Sequence, residues 1–199
     1  MATVRSRGLG NVRVIADNER QPVVPNGVLG MLIFVVTEAM LFAGLISAFT
    51  IIRASALVWP PPDQPRLPLE QTALNTAALL ASGVMLYVAR RRLARDPDAA
   101  RRALLASMVL GAFFVVMQGA EWVALIGNGL TLTSSTLGGF FYLIVGIHGL
   151  HAIAALGVLA QAWWRMQRGW LGSNVLAPAE VFWYFVVGVW PVLYLRVYL

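Results

Sequence analysis

Five side chains in this sequence have the type and spacing to do chemistry: Glu38, Gln118, Glu121, His148 and His151. All five stand inside long apolar runs, where a polar group needs a partner. The two histidines are the only ones in the chain. Three residues apart on a helix, they share one face and point the same way. Glu38 is roughly 15 Å from the inner start of its helix at 1.5 Å per residue, and the helix carrying His151 runs the other way to a comparable level. A contact between Glu38 and a histidine is therefore geometrically open, with proton movement as the chemistry it would allow. The plainer expectation is a protonated Glu38 that hydrogen-bonds between helices, with His148 and His151 as packing groups. Glu121, near a helix end beside Trp122, reads as interfacial packing, and Glu180 as a complement to the dipole at the start of the last helix.

Metal chemistry finds little support in this set. An i, i+3 histidine pair supplies two ligands where most sites need one or two more, and no Glu-x-x-His motif occurs. With no cysteine there is no thiolate site and no disulfide framework. No serine nucleophile motif, phosphate loop or paired carboxylate motif is present. The expectation is no metal, no cofactor and no catalysis by this chain alone.

The elements that must position these residues are membrane spans. With 59% hydrophobic and 12% charged residues and a mean hydropathy of +0.72, the 199-residue chain reads as all-α and polytopic. Apolar runs of roughly 20 residues or more mark five transmembrane helices, at about 28–52, 69–89, 103–126, 137–162 and 178–199. They form one bundle, the transmembrane domain 28–199, after a polar cytoplasmic tail of residues 1–27. That tail shows no signal-peptide pattern. In the first span Gly30, Thr37, Gly44 and Ala48 fall in one narrow sector, the kind of stripe on which a neighbouring helix packs closely. A proline-rich loop from Trp59 to Pro68 follows. Trp163, Trp164 and Trp170, with Arg165 and Arg168, read as an interfacial belt. Pro178 is taken as the start of the fifth span and Pro191 as an interruption in it.

Arginine placement sets the orientation. With the N-terminus inside, the inner segments hold 4, 6 and 2 arginines (residues 1–27, 90–102 and 163–179), against Arg53, Arg66 and Arg196 outside. The expectation is a cytoplasmic N-terminus and an outside C-terminus. The net charge of +6 is explained by this topology, and no basic face with stacking aromatics points to nucleic acid.

Six stretches carry a resemblance. In order they are Thr37-Glu38-Ala-Met-Leu-Phe-Ala-Gly44, Trp59-Pro-Pro, Leu74-Asn75-Thr76-Ala-Ala-Leu-Leu-Ala-Ser82-Gly83, Leu110-Gly111 through Gln118-Gly-Ala-Glu121-Trp122, Gly146-Ile-His148-Gly-Leu-His151, and Trp183-Tyr-Phe-Val-Val-Gly-Val-Trp190-Pro-Val-Leu-Tyr194. Together they resemble subunit III of the haem–copper (cytochrome c) oxidases, in the five-helix form that lacks the first two of seven helices. The resemblance implies an accessory subunit that holds no haem or copper. Those cofactors belong to partner subunits, above all subunit I, beside which the chain would pack. It also implies bound phospholipid and support for proton uptake and durability during turnover. The electron donor would be cytochrome c or quinol. Glu38 would be the family's buried helix carboxylate, and His148 and His151 its histidine pair. The last helix departs from the common Trp-His-Phe-Val-Asp-Val-Val-Trp: Tyr184 stands for the histidine, Val187 for the aspartate, and Pro191 follows the second Trp. That departure leaves open the similar subunit of a nitric oxide reductase. An independent transporter or channel is the rival from another class, and a lipid-binding or assembly scaffold a third.

Overall fold

The computed structural model describes residues 25–59, 61, 65–169 and 173–198. Most of the N-terminal tail, part of the proline-rich loop and Trp170 lie outside the described residues. Five α-helices make up nearly all of the rest: α1 (Asn26–Ser55), α2 (Leu69–Arg92), α3 (Pro97–Gly127), α4 (Thr136–Gln167) and α5 (Ser173–Leu193). All five are long and apolar enough to cross a membrane. The chain is a multi-pass membrane protein of the all-α class.

α3 and α4 begin at side-chain caps, whereas α1 and α2 begin after Pro25 and Pro68 with no side-chain cap. α3 starts at Pro97, six residues before its apolar run, with Pro in the first turn. The Asp96 side chain accepts from Ala99 N at 2.9 Å, filling one of the amide positions a helix start leaves open. Ser135 does the same for α4, accepting from Gly138 N at 3.1 Å. Pro178 does not begin the fifth helix. That helix opens at Ser173 and carries Pro178 and Pro191 inside it. After Pro191, whose ring removes an amide donor, the chain continues to Leu193 and then widens into a π turn, Tyr194–Tyr198.

α5 is the central element, packing against α1, α2 and α4, while α3 packs on α2 and α4. α2 meets α3 and α5 through Thr72, Asn75, Thr76, Leu79, Ser82, Gly83, Leu86 and Ala89, all buried. The steps of three and four residues make one stripe, polar and facing inward. Two tryptophans two turns apart on α5 dock on it: Trp183 Nε1 donates to Ser82 Oγ at 3.1 Å and Trp190 Nε1 to Thr76 Oγ1 at 2.8 Å. The Trp183 ring also lies over Gly111 of α3, where a Cβ would sit 2.5 Å from its Cη2.

α1 is bound most sparsely. Of its 30 residues only Phe42 and Phe49 are buried. The small-residue stripe faces away from the bundle: a Cβ added at Gly30 or Gly44 meets nothing within 4 Å.

Candidate functional site

Glu38, at the middle of α1, meets His151 of α4, with Oε2 3.0 Å from Nε2. Both side chains are mostly covered, at 19% and 15% exposure, but their edges reach the outside of the bundle. His151 Nδ1 lies 2.8 Å from the Ile147 carbonyl one turn back. A carbonyl only accepts, so Nδ1 carries the hydrogen. Nε2 is then either a lone pair facing a protonated Glu38 or the second N–H of an imidazolium facing a carboxylate. The two forms differ by one proton moved across the 3.0 Å gap. Oε2 is at ion-pair distance, though it has no aligned hydrogen-bond donor. Phe34, Phe42, Phe182 and Phe185 ring the imidazole, with centroids 5.6 to 6.3 Å away. In this apolar surrounding little screens the pair.

His148 does a different job. It is 1% exposed and lies against the Trp190 ring at 5.0 Å, with Phe114 and Phe42 edge-on at 6.2 Å. The structure does not bring it to Glu38. Phe42 separates the two imidazoles' roles by touching both.

Glu121 belongs to a second cluster. It is near the end of α3 but faces inward, 8% exposed. Tyr198 OH donates to its Oε1 at 2.8 Å and Thr72 Oγ1 lies 2.9 Å from its Oε2. Gln118 Nε2 donates to the Tyr198 oxygen at 2.9 Å, and Asn75 Nδ2 donates to the Phe114 carbonyl at 3.1 Å. The π turn is thus tied to α2 and α3 through one buried carboxyl group. Glu180 lies beyond the first turn of α5, because that helix starts earlier than Pro178, so it does not cap the dipole. Its Oε2 sits 3.8 Å from Arg90 of α2.

Sequence reasoning missed Thr72, Thr76, Ser82 and Tyr198 as partners. The three- and four-residue spacing on α2 was a usable signal; nothing local announced Tyr198. Among the described residues no group of three or more His, Cys, Asp or Glu side chains is placed to hold a metal ion.

Residues 14–199 match the family described as Cytochrome c oxidase subunit III. The cytochrome c oxidase subunit 3 of a Synechocystis species is 29% identical over 175 residues, covering 85% of this chain and 74% of the relative. That of Mus musculus is 32% identical over 191 residues, covering 89% and 71%. That of Thermostichus vulcanus is 28% identical over 177 residues, covering 86% of each. A polytopic helix bundle matched over nearly its whole length in this way belongs to the cytochrome c oxidase subunit III family.

Proposed function

We propose that the chain is the accessory subunit III of a proton-pumping haem–copper oxygen reductase in a bacterial plasma membrane. In this reading it packs beside the catalytic subunit I, which carries the haem and copper, and contributes no redox centre itself. The observation that carries the reading is the Glu38–His151 pair, set on the least covered helix of a chain of this family. Such a pair shifts one proton between its two members with no change in its net charge, so that a proton arriving at one member can be matched by one leaving the other. It would support proton uptake by the complex, with phospholipid covering the rest of α1. Glu121 and His148 serve the bundle: the first anchors the π turn, the second fills the space between α3, α4 and α5. The arginine asymmetry supports an N-terminus in the cytoplasm and the ends of α1, α3 and α5 outside.

Mass measurement of intact complexes released from native membranes is the test. The expected result is co-release of this chain with a haem-bearing subunit, and no visible absorption from the chain alone. Release as a stand-alone assembly that passes solute across liposomes would overturn the reading. Nitric oxide turnover by the co-released complex, with none for oxygen, would move the chain to the related reductase.

A further inference from the structure

A slot of about 500 Å³ opens between α3 and α4 on the outside of the bundle. It lies apart from the Glu38–His151 pair, on the other side of α4. Glycines create it. A Cβ on Gly146 or Gly149 would sit 3.7 Å from Cη2 of Trp122, so the tip of the indole rests against both, and in front of Gly119 there is open space. Phe114, Tyr142 and Trp190 add three more rings to the walls. No Arg, Asp or Glu of the described residues lines it. Two of the lining residues carry a ring nitrogen, His148 Nε2 and Trp122 Nε1, that is covered and has no hydrogen-bond partner among the described residues. Two groups that are satisfied lie beside them: Tyr142 OH donates to the Leu130 carbonyl, and Gln118 to Tyr198.

This combination selects a ligand chemistry. Walls without formal charge call for a neutral body, and walls of rings favour a flat one. An indole N–H only donates, so the ligand must bring an acceptor. The volume and the apolar lining with few polar groups are those of a small-molecule site between helices. We propose that the slot binds a neutral, ring-bearing membrane lipid through its ring carbonyl oxygens, the chemistry of an isoprenoid quinone, with Trp122 and His148 as its polar partners after small side-chain shifts. The ligand is held, not transformed; no electron transfer is part of the inference. A phospholipid fits less well, because its charged headgroup finds no counter-charge here.

The test uses the full chain in nanodiscs of neutral phospholipid, so that it stands apart from the oxidase reading. The probe is a short-chain azidoquinone, with decylubiquinone as competitor and a photoreactive phosphatidylcholine as the second arm. Labelling should map to the peptides bearing Trp122 and Gly146–His151 and be displaced by decylubiquinone. Gly119→Leu, which fills open space, should abolish the labelling while leaving the melting temperature near that of the parent. Trp122→Phe keeps a ring but loses the N–H, and should weaken decylubiquinone binding about fivefold, the value of one neutral hydrogen bond. Gly157→Leu, on α4 but away from the slot, should change nothing. The inference fails if labelling is spread over the outward faces and persists in Gly119→Leu. It fails equally if phosphatidylcholine labels the slot and quinone cannot displace it, or if a neighbouring subunit fills the slot in the native complex.

Discussion

A double-substitution cycle on Glu38 and His151 reads the strength of their contact directly. Opposite unit charges at the observed 3.0 Å attract by about 5–6 kcal/mol at an effective dielectric constant near 20. Holding both ions away from water takes back several kcal/mol of that. A neutral hydrogen bond between transmembrane helices is worth about 0.6 and at most about 1.7 kcal/mol. Both forms therefore converge on a coupling of roughly 1–2 kcal/mol. Glu38→Leu and His151→Leu each remove one partner and strand the other, costing about 1–3 kcal/mol apiece. The double variant strands neither group and should be milder than the sum by that coupling. The assay is reversible unfolding of the four purified proteins in bicelles on titration with dodecyl sulfate. Glu38→Gln sorts the two forms: an amide can donate to Nε2, so it keeps the coupling of a neutral pair and loses that of an ionised one. Additivity within about 0.3 kcal/mol would refute the contact and the proton-handling role built on it.

Two further substitutions test the packing around α5. Gly111→Ala drives a methyl into a Trp183 ring pinned by its bond to Ser82; overpacking of this kind costs about 1–3 kcal/mol, read as a fall in melting temperature, whereas Gly44→Ala, facing open space, should be neutral. Tyr198→Phe removes the hydroxyl that donates to Glu121 and accepts from Gln118. Loss of a hydrogen bond to a carboxyl group in such a place costs about 1.5–3 kcal/mol, and the π turn should become open to carboxypeptidase while α2 and α3 stay protected.

The number of helices was legible because length and apolarity alone decide what spans a bilayer. The approach of Glu38 to His151 was legible too, from depth along two antiparallel helices. Other features were not. Helix ends escaped a reading by hydropathy, since Asp96 and Pro97 start α3 in polar sequence. The different surroundings of His148 and His151 were hidden because residues three apart are offset by about 60° around a helix, enough to meet different neighbours. The tie between Glu121 and Tyr198 joins residues 77 apart, and no local pattern carries such a distance. The inward polar stripe of α2 was visible as composition, but its role depends on which helix carries the matching donors, and that is settled only in three dimensions.

The centrality of α5 has a consequence for biogenesis. The ribosome makes this helix after the other four, yet it is the one on which α1, α2 and α4 converge. Until it enters the bilayer, Ser82 and Thr76 lack their indole donors and α1 has little to rest on. Insertion and final docking are thereby separated in time, as in a two-stage scheme. A nascent chain halted before Ser173 should remain loosely associated spans that quality-control proteases can still recognise.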